Sequence, residues 1–327
     1  MSPAPDPARG LAMLATALGP ALAAMLEAAD TIEVMVNPDG RVWVERLGQG
    51  REATDVRLEP AETERAIRLV ATLTGAEATR LKPIVSAELP PRGERFEGVL
   101  PPVARAPCFA IRKPAGRVIH LDEYVASGIV TPRQALDLRE AIHARANIIV
   151  AGGTGSGKTT LANALLAEIA TLNERVVILE DTRELQCAAE DVVALRTQTG
   201  SVSLAELVRS TLRLRPDRII VGEVRGAEAL DLLKAWNTGH PGGIATLHAN
   251  SARAALSRLE QLAMEGCDSP PTALIAEAID IIVFIERGGP AGRRISEIYA
   301  PRLAKPGLRE TAAPGTGAHR SMTGATT

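Results

Sequence analysis

Eight consecutive residues have the types and spacing to hold a polyphosphate: Gly152, Gly153, Thr154, Gly155, Ser156, Gly157, Lys158 and Thr159. They fit the pattern G-x-x-x-x-G-K-[ST]. Glycines let successive backbone N–H groups turn inward and form a concave anion nest. A helix starting at the end of the run points its positive end at the same anion. Lys158 can then reach the β- and γ-phosphates, and the Thr159 hydroxyl can ligate Mg²⁺. The chemistry is that of a nucleoside triphosphate site lined by residues 153–160, Thr160 included.

Other residues could act beside such a loop. The stretch 218–223, RIIVGE, reads as a buried strand ending in a carboxylate, Glu223. At the C-terminal end of a core strand a carboxylate can orient or deprotonate an attacking water. Gly222 stands where many such NTPases carry a Mg²⁺-binding Asp. The acids after the strand 176–180 can fill that role, Glu180 and Asp181 as metal-side carboxylates or water holders. Glu184 can instead pair with a surface arginine. His248 closes a glycine-rich stretch that also holds His240, and at a strand end it can donate to the γ-phosphate or report its loss.

Composition bounds the classes. A chain of 327 residues is long enough for two domains with real cores. With 46% apolar and 23% charged residues it reads as globular, and with only 2% aromatics its cores must be built from Ala, Leu, Val and Ile. A net charge of −2 gives no general nucleic-acid footprint, so sequence-specific nucleic-acid binding is not expected. Cys108, Cys187 and Cys267 form no C-x-x-C pair and read as reduced thiols of a cytosolic protein without a zinc site. The Ala/Leu-rich stretch 11–26 is interrupted by Gly19 and Pro20 and is short for a membrane span. It is expected as a packed or interfacial helix.

The elements that must position these residues follow from pattern. Residues 1–10 hold three prolines and are expected to be mobile. Strands are expected over 31–36 and 41–45 around the turn Asn37-Pro38-Asp39-Gly40, and over 84–89, 95–100 and 108–112, with a helix through Ala66, Leu69, Val70 and Leu73. Residues 11–112 thus make a small α+β domain, and 113–120 a linker around Lys113-Pro114-Ala115-Gly116. From 121 to 306 helices alternate with buried strands at 147–151, 176–180, 192–195, 218–221, 243–247 and 279–285. The expected fold is α/β with a largely parallel sheet. Residues 307–327, without periodicity, are expected to be a disordered tail.

GGTGSGKTT (152–160), ILEDTREL (178–185), RPDRIIVGEVRG (215–226) and TGHPGGIATLHANS (238–251), in this order, resemble the secretion-ATPase superfamily of RecA-like P-loop proteins. Its members drive type II secretion, type IV pili and type IV secretion. IEVMVNPDGRVWVER (32–46), VLPPV (99–103) and FAIRKP (109–114) are most similar to its conjugal-transfer, TrbB-type branch. The absence of a tetracysteine zinc module favours the conjugation and type IV secretion side. The resemblance implies an ATP- and Mg²⁺-dependent homohexameric ATPase, cytoplasmic and peripheral to the inner membrane, working with inner-membrane components of a secretion apparatus. It casts Lys158 and Thr159 as phosphate and Mg²⁺ ligands, Glu223 as the catalytic acid, Glu180 and Glu184 as acid-box residues and His248 as a sensor. Arg95 and Arg112 resemble family arginines that approach the phosphates from the N-terminal domain. The rival readings are an ATPase for pilus assembly, retraction or type II secretion, a small-molecule kinase, and a scaffold that binds ATP without turnover.

Overall fold

The computed structural model describes residues 7–47, 49–90, 92–114, 117–198, 200–301 and 311–312. Contacts divide the chain into two compact units, Met1–Arg117 with Thr182–Glu184, and Val118–Asp181 with Leu185–Thr327. The short segment Thr182–Glu184, expected inside the second domain, thus groups with the first.

In the first unit, alternating burial turns one face of an antiparallel sheet toward two helices. The elements are helix α1 (Pro7–Glu27), strands β1 (Thr31–Val36), β2 (Arg41–Arg46) and β3 (Gly50–Arg57), helix α2 (Pro60–Thr74), and strands β4 (Ile84–Leu89), β5 (Glu94–Val99) and β6 (Cys108–Arg112). The sheet order is β3-β2-β1-β6-β5-β4. Val34, Val36, Val42, Val44, Phe96, Phe109 and Ile111 fill its inner face and meet Ala66, Ile67 and Val70 of α2. The β1–β2 turn needs its glycine twice over: Gly40 has φ +78°, and a Cβ there would lie 2.5 Å from the Leu58 carbonyl oxygen.

Helix α1 is packed, with Leu14, Leu18 and Leu22 in the core. It breaks at Gly19 (φ 77°, ψ 164°) before Pro20. Residues 7–10, expected to be mobile, belong to this helix, while residues 1–6 lie outside the described residues. Among the described residues no helix is long and apolar enough to cross a membrane.

The second unit contains helices α3 (Leu121–Ala126) and α4 (Pro132–His143), strand β7 (Ile148–Gly152), helix α5 (Lys158–Ile169), strands β8 (Val176–Glu180) and β9 (Val192–Arg196), helix α6 (Leu204–Thr211), strand β10 (Arg218–Val224), helix α7 (Glu228–Asn237), strand β11 (Ile244–His248), helices α8 (Ala252–Ala263) and α9 (Thr272–Ala278), and strands β12 (Ile281–Arg287), β13 (Arg293–Tyr299) and β14 (Thr311–Ala312). The sheet order is β14-β13-β12-β7-β11-β10-β8-β9. The strands from β12 to β9 are parallel, and β13 and β14 are antiparallel additions at one edge. Two apolar layers cover the sheet, one built around α3, α4 and α5, the other around α6, α7, α8 and α9. Such double coverage is why these strands read as continuous apolar runs.

Three strands, β3, β13 and β14, lie outside the expected set. β3 and β13 carry polar residues at most positions and were not anticipated. Within the expected disordered tail, Thr311–Ala312 pairs with β13, and the remainder of that tail lies outside the described residues.

Candidate functional site

Parallel strands end on the same edge of a sheet, so the second unit brings the C-terminal ends of β7, β11, β10 and β8 together. The phosphate loop follows β7, every residue of which is buried. A Cβ on Gly152 would overlap the Ile285 carbonyl oxygen and lie 2.5 Å from Ser156 Oγ, so the loop's first position has room only for hydrogen. Gly155 (φ 67°) and Gly157 (φ 102°) adopt left-handed backbone, which turns the loop. Thr154 and Gly155 form its exposed tip.

The start of α5 is built for an anion. Its N-cap residue is Gly157, which has no side chain to satisfy the first N–H groups of the helix, from Lys158, Thr159 and Thr160 onward. Lys158 Nζ donates to the Gly153 carbonyl oxygen at 3.1 Å and so already leans over the loop. Ser156, 2% exposed, keeps its Oγ without a hydrogen-bond partner. An orphaned buried hydroxyl inside a glycine cradle fits a polar ligand with many acceptor oxygens, as a polyphosphate has.

His248, Glu223 and Glu180 lie at or next to the C-terminal ends of β11, β10 and β8. His248 pairs in register with Gly152, which places it beside the loop on an exposed strand end. Strand β10 loses its register with β11 between Val221 and Val224, and Thr246 Oγ1 donates to the Gly222 carbonyl oxygen at 2.6 Å within that irregularity. A break of this kind re-aims side chains. Glu223 lies within it and accepts from Arg225 Nε at 2.7 Å and also from Arg225 Nη2.

Glu180 explains Gly222. A Cβ on Gly222 would meet Glu180 Cγ at 2.9 Å and Oε1 at 3.3 Å. The Glu180 carboxylate, 4% exposed, thus occupies the space that an Asp at 222 would need. Its Oε1 accepts from the Leu185 N–H at 2.8 Å. Asp181 is directed elsewhere. It accepts from Thr197 Oγ1 at 3.0 Å and lies 4.0 Å from Arg225 Nη1, in a cleft of about 560 Å³ walled by the β9–α6 and β10–α7 connections. Of the two acids offered as metal-side carboxylates, Glu180 is the one at Gly222.

Among the described residues no group of three or more His, Cys, Asp or Glu could hold a metal. Mg²⁺ rarely uses an all-protein cage and is usually held by one or two carboxylates plus substrate phosphates. By chemical type, the Thr159 hydroxyl and the Glu180 carboxylate are donors of the kind such a site uses.

Arg95 and Arg112 lie in the first unit, directly opposite each other on β5 and β6. Glu33 pairs with Arg112, Glu45 with Glu33, and Glu88 with Arg95, so a charged row crosses the face of the sheet away from the core. Burial raises the Glu33 pKa, with Arg112 and Arg95 opposing and Glu45 adding to the rise. Glu184 lies 3.6 Å from Arg95 Nη1. The expected arginine partner of Glu184 is thus one of the candidate phosphate arginines.

Three residues shape the site without having been anticipated: Arg225, Thr246 and Asn163, whose Oδ1 accepts from the Gln186 N–H at 2.8 Å and ties the acid loop to α5. Arg225 sits two residues from Glu223, a spacing that places both side chains on one side of an extended chain. That was the readable signal. The other two act through contacts far along the chain.

A family model described as "Type II/IV secretion system protein" matches residues 23–312. The conjugal transfer protein TrbB of Rhizobium radiobacter is 53% identical over 287 residues, covering 87% of this chain and 88% of that protein. The type IV secretion system protein PtlH of Bordetella pertussis is 38% identical, covering 85% and 93%. Among solved structures, the ATPase DotB of Legionella pneumophila superposes with a TM-score of 0.62 at 22% identity, covering 86% of this chain and 81% of its own, a likeness of fold.

Proposed function

Because the chain belongs to the type II/IV secretion system protein family, we propose that it is a Mg²⁺-dependent ATPase that energises a conjugative type IV secretion apparatus. The observation that carries the reading is the convergence at one sheet edge of an uncapped, glycine-cradled helix start with Glu223, Glu180 and His248. Phosphoryl transfer is catalysed mainly by positioning and charge neutralisation, which is what such an edge supplies.

In this reading the loop N–H groups and Lys158 bind and orient the phosphates, and Thr159 and Glu180 hold the metal. A metal held there would supply neutralisation of the charge that develops on the phosphates. Glu223 orients the attacking water and takes its proton. Two donors already occupy its Oε2, and among the described residues Oε1 accepts no hydrogen bond. His248 senses the γ-phosphate. Arg95 and Arg112 supply charge when the first unit closes on the nucleotide, so that hydrolysis becomes motion. The working form is a homohexamer, peripheral to the inner membrane and engaged with membrane components of the apparatus.

The test is phosphate release by purified protein, with light scattering under nucleotide. Turnover without any added acceptor, abolished by Lys158→Ala, together with nucleotide-promoted hexamers is the expected result. Transfer only to an acceptor would make the protein a kinase. Binding without turnover would make it a scaffold, and a persistent monomer would remove the ring.

A further inference from the structure

Strands β12 and β13 form a hairpin on the side of β7 away from β11. At its end Arg287 and Arg293 are directly opposite each other, joined by a turn in which Gly288, Gly289 and Gly292 have positive φ. Like charges opposed on an antiparallel pair repel, and ordinary sheets avoid the arrangement. The adjacent pair shows the usual solution: Glu286 faces Arg294, with a salt bridge of 2.9 Å. Among the described residues neither Arg287 nor Arg293 has a carboxylate partner.

Both guanidinium groups instead meet the phosphate loop. A Cβ on Gly155 would overlap Arg287 Nη2, and one on Gly157 would lie 2.9 Å from Arg293 Nη1. Arg287 Nε is 3.5 Å from the Gly155 carbonyl oxygen, too long to be a good hydrogen bond. Two cations without a carboxylate partner among the described residues therefore stand at the two left-handed glycines of the loop.

We propose that Arg287 and Arg293 form a cationic clamp that binds the di- or triphosphate of the nucleotide, supplementing Lys158. The proposal rests on the reading of the loop as a nucleotide site. It accounts for the like-charge pair, since a bound polyphosphate supplies the negative charge that the hairpin lacks. Guanidinium suits the task because its fork of donors matches phosphate oxygens.

The test uses the full chain with Arg287→Gln, Arg293→Gln and the two Lys variants. ATP, ADP and AMP binding is measured by calorimetry, and thermal melts are run with and without ADP. Each Gln variant should weaken ATP and ADP by roughly 10- to 100-fold, the range of a lost charge-assisted hydrogen bond. AMP should be affected less, and Lys should restore part of the loss. Without nucleotide the melting temperature should hold or rise, because repulsion is relieved, while the rise produced by ADP shrinks.

Unchanged ATP and ADP affinity in the Gln variants overturns the clamp. So does a lowered nucleotide-free melting temperature with normal affinity, which would make the arginines structural. If a Gln variant fails to fold, the matching Lys variant decides: it should fold and bind ATP with reduced affinity, and wild-type affinity would count against the clamp. Lys158→Ala is the control. Unweakened ATP binding in Lys158→Ala removes the nucleotide-site reading itself, whereas binding weakened there but intact in the arginine variants removes only the clamp.

Discussion

Arg225 holds one oxygen of Glu223 with two donors, which fixes the carboxylate at the irregular end of β10. A side chain held in this way is positioned before substrate arrives, as general-base catalysis requires. Glu223→Gln keeps the shape and removes the basicity. It should leave ATP affinity nearly unchanged and lower kcat by about 10²- to 10⁴-fold, measured by calorimetry and phosphate release. Loss of ATP binding instead would show that Glu223 is structural. Gly222 belongs to the same scale. From sequence it was the oddity of a missing Asp, and the structure turns it into a steric consequence of Glu180 lying across it.

The sheet edge that carries the site depends on packing at the opposite edge. Buried Arg218, at the start of β10, donates to Glu174 and to the Ile142 carbonyl oxygen at 2.8 Å, and Arg145 Nε donates to Glu174 at 2.8 Å. Burial alone would raise the Glu174 pKa, but the hydrogen bonds and charges of Arg218 and Arg145 outweigh it and hold the group below its ordinary 4.5. The sign follows from linkage. A depressed carboxylate adds stability that is fully present above 4.5 and is lost as pH falls through the lower folded value. Glu174→Gln should therefore cost about 3–5 kcal/mol near neutrality, because Arg218 keeps its charge without a counter-ion. The gap to wild type should narrow below pH 4.5, checked by denaturant melts at both pH values. A gap independent of pH would mean that Glu174 acts by shape alone.

Elements were legible in proportion to their burial. The core strands announce themselves because both faces are covered, as Val176–Glu180 does with every residue buried. Capping boxes stand at Thr131 and Ser203, at the starts of α4 and α6. By contrast β3 is largely exposed along one edge of its sheet, and β13 carries Arg293, Arg294, Ser296 and Glu297 with only Ile295 and Ile298 buried. Strands of this kind are held by their neighbours' hydrogen bonds rather than by an apolar run, so no local pattern reveals them.

At the scale of the whole molecule, the sheet edge with the phosphate loop belongs to one compact unit, and Arg95 and Arg112 belong to the other. Arg95 and Arg112 are side by side on a sheet face that the first unit's own core does not use. If they act on the phosphates only in a closed state, Arg95→Ala or Arg112→Ala should reduce kcat far more than ATP affinity, by up to about 10³- to 10⁵-fold. Steady-state turnover set against equilibrium binding measures this. An unchanged kcat would return both to surface charges balanced by Glu33 and Glu184.

The amino-acid sequence alone determined the nucleotide loop, the buried strands, the order of the acid and histidine boxes, and a two-part chain. These depend on local residue types or on apolar runs that survive without knowledge of neighbours. Only the tertiary structure decided that Glu180 rather than Asp181 fills the place left by Gly222, that Arg225 holds Glu223, and that a hairpin more than 120 residues downstream brings Arg287 and Arg293 to Gly155 and Gly157. The reason is physical. Which side chains meet is set by strand order and register, and those arise from pairings between segments that carry no mark of their partner.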